Sequence, residues 1–182
     1  MRRKLVGLAA AALLMAVTAQ TATAQARGYV GFGGGVAIPM GDFKDEVKTG
    51  WLGQVIAGVT GASGMIGGRI DGNYIRNSVK GTGGTHTTLL GANLDLVVTP
   101  GKRPAKVHPY LLGGIGVFNA KESGSGVSGD GVTKFAFNAG AGLQIHLGNR
   151  MDFYTEVRYL NIRTENSTSL LPIVIGLRFG GV

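Results

Sequence analysis

The side chains best placed to do chemistry are seven ionisable residues set in otherwise apolar or glycine-rich stretches: Arg69, Asp71, Asp95, Asp152, Glu156, Arg158 and Arg178. If one interior holds them, three positive and four negative charges nearly cancel. Poorly hydrated charges of this kind must pair, and removing one partner strands the other at a cost of about 3–5 kcal/mol. Histidine is the other candidate for proton or acyl transfer, at His86, His108 and His146. A hydrolytic arrangement needs His beside a hydroxyl and an acid, and no serine lies at strand spacing from any of the three. With no cysteine and no His pair at ligand spacing, neither a transition-metal site nor a cofactor is expected. The glycine-rich run 121–133 has no Walker pattern or following helix to cradle phosphate, so it reads as a solvated loop. Its Asp130 and Gly131 resemble a turn more than a calcium loop.

The elements that must position these residues are strands. Apolar alternation recurs over about ten residues at a time, separated by turn-rich stretches. Eight strands are expected, at 28–40, 50–60, 65–76, 85–98, 110–120, 134–147, 152–162 and 171–179. Neighbouring side chains of a strand point to opposite sides of a sheet, so each strand divides into two faces. In the sixth, Phe135, Phe137, Ala139, Ala141, Leu143, Ile145 and Leu147 oppose Asn138, Gly140, Gly142, Gln144 and His146. In the eighth, Ile173, Ile175, Leu177 and Phe179 oppose Val174, Gly176 and Arg178. One face is apolar throughout, and the other carries small residues, amides and the seven charges. That second face suits a narrow barrel interior. A soluble barrel with its apolar residues inside gives the same periodicity, but its outer face would be left nearly bare by so much glycine.

The compartment follows from the first residues. Arg2, Arg3 and Lys4 precede an uncharged run, and Ala22-Thr23-Ala24 offers a signal-peptidase site, with Ala24-Gln25-Ala26 an equal alternative. Residues 1–24 are therefore expected to be a signal peptide and 25–182 one exported domain. Three of the 18 Lys and Arg leave with the leader, so against 10 acidic residues the mature charge is +5 rather than +8. The basic residues are scattered, which gives a nucleic-acid partner little support. An exported chain without disulfides needs another source of stability, and a closed hydrogen-bonded barrel in lipid supplies one. The 33 glycines have no collagen period and are interspersed with Val, Ile, Leu and Phe, as strand curvature requires. No later segment has the length and apolarity of a membrane-spanning helix. Asn166-Ser167-Thr168 matches a glycosylation sequon, which is incidental in a bacterial-type export context.

With a periplasmic N-terminus, the first, third, fifth and seventh connections are external. These are 41–49, 77–84, 121–133 and 163–170, all polar. The connections 61–64 and 148–150 are short, as periplasmic turns should be. The remaining periplasmic connection, 99–109, contains Pro100, Pro104 and Pro109 and is long for one.

In this order the residues resemble the eight-stranded outer-membrane β-barrel proteins, OmpA-type and OmpX-type, of the outer membrane protein β-barrel domain family. The resemblance covers the whole mature chain. Carrying it are Ile38-Pro39-Met40-Gly41-Asp42-Phe43, Lys48-Thr49-Gly50-Trp51, Tyr154-Thr155-Glu156-Val157-Arg158-Tyr159 and the final LPIVIGLRFG. Such proteins commonly end on an aromatic residue, whereas here Phe179 is followed by Gly180, Gly181 and Val182. Aromatics are few, and Phe32, Trp51, Tyr74, Phe118, Phe153 and Tyr159 are expected to supply partial interfacial girdles.

The expectation is thus an all-β, eight-stranded antiparallel up-and-down transmembrane β-barrel in the outer membrane. Its partners are outer-membrane lipid and the outer-membrane assembly machinery, and it is expected to be a monomer. The seven charges form a luminal network that is either a salt-bridged plug or a narrow ion path. Eight strands leave an interior just wide enough for side chains, which favours the plug. Three functions remain open: a structural or surface-interaction protein, the favoured one; a narrow channel for ions or small hydrophobic solutes; and, behind both, a lipid-modifying enzyme.

Overall fold

A computed structural model describes residues 26–81, 84–100, 106–124, 127–128, 131–148, 150–163 and 168–180. The leader 1–24, Asp130 and the Asn166-Ser167 pair lie outside the described residues. The barrel strands are β1 (Arg27–Met40), β2 (Gly50–Thr60), β3 (Ile66–Ser78), β4 (His86–Val98), β5 (Val107–Gly124), β6 (Val132–His146), β7 (Met151–Ile162) and β8 (Thr168–Gly180). A two-residue strand, Val127–Ser128, folds back on the end of β5, and Phe43–Glu46 forms one helical turn. Each barrel strand pairs antiparallel with its sequence neighbours, and β1 closes on β8. The fold is an eight-stranded antiparallel up-and-down barrel.

Its girth follows from the register. Cα partners lead from Val30 through Ala57, Ile70, Leu94, Ile115, Phe137, Asn161 and Ser169 back to Met40, a shear of ten residues. Eight strands with that shear tilt by about 40° and give a backbone radius of about 8 Å. Once side chains enter, little bore is left.

The strand faces are inverted relative to a water-soluble protein. On β4, Leu90, Leu94 and Leu96 point outward and are more than half exposed, whereas Asn93 and Asp95 on the opposite face are buried. Val30, Phe32, Val55, Leu111, Ile115, Phe135 and Ile175 continue the outward apolar band. Apolar area on this scale is tolerable only against lipid, which removes the soluble-barrel alternative.

Two features differ from the reading of the sequence. Phe118 is fully buried in the interior and contributes nothing to a girdle, because its parity places it on the luminal face of β5. Residues Lys121–Gly124 continue β5 beyond the expected loop boundary, pairing with the start of β4 through Thr88↔Lys121 and His86↔Ser123. Backbone pairing with an adjacent strand outlasts the apolar pattern that marked the strand. The proline-rich connection is correspondingly shorter, since Val107, His108 and Pro109 belong to β5.

Glycine makes room for the large luminal rings. A Cβ at Gly91 would overlap the ring of Phe118, one at Gly142 the ring of Tyr110, and one at Gly176 the ring of Tyr154. Each bulky side chain lies across the bare backbone of a neighbouring strand, which lets four or five aromatic and charged groups share a narrow cross-section.

Candidate functional site

The strand alternation that sends leucine to lipid sends all seven ionisable residues inward. They divide into two groups. Arg69 and Asp71 from β3, Asp95 from β4, and Glu156 and Arg158 from β7 form a central layer in which every residue is at most 3% exposed. Arg69 donates from Nη1 to Glu156 Oε2 at 2.7 Å and from Nη2 to Asp95 Oδ2 at 3.3 Å. Arg158 donates from Nη2 to Asp71 Oδ2 at 2.7 Å and from Nε to Glu156 Oε1, while its Nη1 stands 3.3 Å from Asp95 Oδ2. Both guanidiniums thus bridge β3, β4 and β7 across the bore. Arginine suits this role because its planar fork keeps its charge and serves several carboxylates at once.

Neutral groups complete the layer. Asn93 Nδ2 donates to Asp71 Oδ1 at 2.8 Å, Asn138 Nδ2 to Asp95 Oδ1 at 2.9 Å, and the Tyr110 hydroxyl to Glu156 Oε2 at 2.8 Å. Gln54 links Asn73 to the Tyr154 hydroxyl at 3.2 and 3.1 Å.

The second group lies nearer the end of the barrel that carries the N-terminus and the short turns, the end expected to be periplasmic. Asp152 Oδ2 accepts from Arg178 Nε and Nη2 at 3.1 and 3.0 Å and from Gln144 Nε2 at 2.8 Å. His146 Nδ1 bonds the other oxygen of Asp152, and the His108 ring meets His146 edge-on at 4.9 Å. The Arg178 guanidinium lies 4.3 Å over the ring of Tyr29. Between the two groups is a cavity of about 30 Å³ bordered by Tyr29, Arg69, His108, Tyr110 and Arg178. Its size suits about one water molecule.

The external half of the interior is built differently. Leu52, Ile75, Leu89, Phe118, Leu160, Ile162 and Leu170 pack there as an apolar core with Ala37 and Ala136, bordered by buried Asn77, Thr87 and Asn161. The reading of the sequence missed this layer, having taken the inward face to be small and polar. The signal was present in the strand ends: Leu52, Ile75, Leu89 and Leu160 are large apolar residues at inward parity, each toward the external end of its strand.

The histidines need one correction. A serine does stand beside His86: Ser78 is its cross-strand partner, with Oγ 3.4 Å from His86 Nδ1. The pairing runs across the β3–β4 hairpin rather than along one strand, so spacing within a strand could not show it. Among the described residues no carboxylate pairs with His86; the one His–carboxylate pair is His146 with Asp152.

The model of the outer membrane protein beta-barrel domain family matches residues 8–179. Among solved structures, the chain is similar to Neisserial surface protein A at 17% identity and a TM-score of 0.66, covering 84% of this chain and 96% of that one. It is similar to the outer membrane protein OprG of Pseudomonas aeruginosa at 17% identity and a TM-score of 0.58, with 87% and 96% covered. Ail, the attachment invasion locus protein of Yersinia pestis, follows at 16% identity and a TM-score of 0.54, with 85% and 99% covered. At such identities these likenesses speak for the fold alone. Among curated proteins there is no significant sequence match. The family match over nearly the whole chain, on a closed barrel with an apolar outer surface, makes this chain a member of the outer membrane protein beta-barrel domain family, resident in the cell outer membrane.

Proposed function

We propose that the protein is a non-conducting outer-membrane barrel whose luminal charge network closes the bore and whose external hairpins present an interaction surface. The observation that carries this is the filling of the cross-section twice over. The central layer spans it with three carboxylates bonded to two guanidiniums, and the external layer with a ring of buried apolar side chains. An ion moving through would have to part Arg69 from Glu156 and then cross the apolar zone around Phe118. Each step carries a desolvation cost of several kcal/mol.

The external end supports the display role. Lys48 N donates to Ser78 O at 2.8 Å, Lys80 N to Glu46 O at 2.8 Å and Lys80 Nζ to Lys44 O at 2.6 Å. Asn77, fully buried, donates from Nδ2 to Lys48 O at 2.8 Å and to Ala37 O at 3.3 Å. The first two external connections are thereby joined into one bonded platform, and binding through a preorganised surface costs less ordering entropy than binding through free loops.

A narrow channel for ions or small hydrophobic solutes is the competing reading, and lipid modification through the Ser78–His86 pair comes behind it. The barrel works as a monomer delivered by the outer-membrane assembly machinery. Liposome swelling separates the readings. Vesicles loaded with refolded protein should admit no small sugars or amino acids beyond the protein-free rate, and replacing 125–131, the part of the expected 121–133 loop outside β5 and β6, by a short turn should alter surface binding while leaving the barrel folded. Solute entry with saturating rates would establish the channel instead, and turnover of lipid abolished by His86→Ala would establish the enzyme.

A further inference from the structure

The hairpin end of β3, β4 and β5 carries two cations on its lipid-facing side. Strand parity sets their direction. Arg76 stands between the buried Ile75 and Asn77, and Thr88 between the buried Thr87 and Leu89, so both point outward. Lys121 has the parity opposite to that of the inward Phe118 and points outward too. The register sets them in one row, with Trp51 paired to Arg76, Arg76 to Thr88 and Thr88 to Lys121. Two strand spacings put about 10 Å between the backbones of Arg76 and Lys121, with the Thr88 hydroxyl between them. Both cations are exposed, and among the described residues neither has an ion-pair partner. Glu122, the acid beside Lys121 in sequence, has the opposite parity and pairs with Thr87.

The neighbouring rows place this one at the edge of the membrane. On one side Tyr74 and Leu90 begin the apolar band, which continues through Leu94 and Ile115. On the other, Ser78, His86 and Ser123 form a polar row. Trp51 and Tyr74, with ring centroids 5.2 Å apart, are an aromatic pair of the kind that borders a bilayer. Unpaired cations at that depth face lipid headgroups rather than bulk water.

We propose that Arg76 and Lys121, with Thr88 between them, clamp a phosphate monoester on the headgroup of a membrane lipid in the leaflet around the hairpin end. A monoester suits the row because its terminal oxygens accept from two cations and a hydroxyl at once, and because it carries nearly two negative charges at neutral pH. The chains of the same lipid then lie along Leu90, Leu94 and Ile115. The site is on the outside of the barrel, so it stands whether or not the bore conducts.

Trp51, the single tryptophan of the chain, is the cross-strand neighbour of Arg76 and reports the lipid beside it. The test uses refolded protein in phosphatidylcholine vesicles in which about one lipid in five is brominated high on its acyl chains. Brominated phosphatidic acid should quench Trp51 more than the same fraction of brominated phosphatidylcholine, by a preference of roughly fivefold. Arg76→Gln and Lys121→Gln should each lower that preference, and the double variant should abolish it while keeping the heat-modifiable mobility of the folded barrel. Arg150→Gln, at the opposite end of the strands, should leave it intact. Equal quenching of the wild type by the two brominated lipids overturns the proposal, and that result needs no variant to fold. So does a preference that survives the double variant, or an equal preference for brominated phosphatidylglycerol, whose diester carries a single charge.

Discussion

The periplasmic and external halves of the barrel interior share the same strands and the same narrow bore, yet one is filled with bonded ions and amides and the other mainly with leucine, isoleucine and phenylalanine, beside a few polar groups such as Asn77 and Asn161. In the first half the outcome depends on matching: Arg69 and Arg158 stabilise the layer only while their carboxylates are present. In the second it depends on volume, and each side chain contributes by itself. The ionic half therefore joins distant strands specifically and is fragile to single substitutions. The apolar half is more forgiving and keeps water out.

Four substitutions would break or sharpen that contrast. Glu156→Ala takes from both guanidiniums the carboxylate they share and from Tyr110 its acceptor, and should cost about 3–5 kcal/mol, read from denaturant unfolding of the refolded barrel by the fluorescence of Trp51. Leu89→Ala, in the apolar half, should cost about 3 kcal/mol through cavity formation. Unlike Glu156→Ala, it should leave the dependence of stability on salt unchanged. Tyr110→Phe removes a single charge-assisted hydrogen bond to Glu156 and should cost about 2 kcal/mol, with hydrogen exchange on β5 and β7 raised locally. Arg163→Ala deletes only a guanidinium 5.8 Å from the Phe137 ring at the external rim. It should cost about 0.5 kcal/mol, and an effect as large as that of Leu89→Ala would mean that the rim contributes to stability in a way the interior contacts do not explain.

How much of this was legible in the sequence differs between the two halves. Period-two alternation marked the strands and their lipid faces because lipid demands apolar side chains without interruption, as in Leu90, Leu94 and Leu96. Charged residues inside such strands had nowhere to go but inward, so Arg69, Glu156 and Arg158 could be assigned to the lumen from parity alone. Which of them would meet could not be read. Arg69 bonds Glu156 across 87 residues of sequence, and that contact depends on closure of β1 on β8 with a shear of ten. The apolar half escaped notice because Leu89 and Leu90, like Ile75 beside Tyr74, are both apolar, and alternation carries no signal where both faces are apolar. The Ser78–His86 contact was hidden for a related reason, since cross-strand register across a hairpin is fixed by loop length rather than by residue type. Strand ends at Ser78 and Gly124 ran past the apolar pattern because backbone pairing continues where lipid has stopped selecting side chains.

The measurement closest to the central claim is single-channel recording of the refolded protein in planar bilayers, with insertion verified by heat-modifiable gel mobility of the same preparation. A bore closed by the Arg69–Glu156 layer and the Phe118 layer should give no steady unitary conductance at neutral pH, whatever the voltage polarity. Reproducible conductance steps from correctly folded wild-type protein, altered in size by Glu156→Gln or Arg158→Ala, would show that the charge layer lines a path rather than closing one.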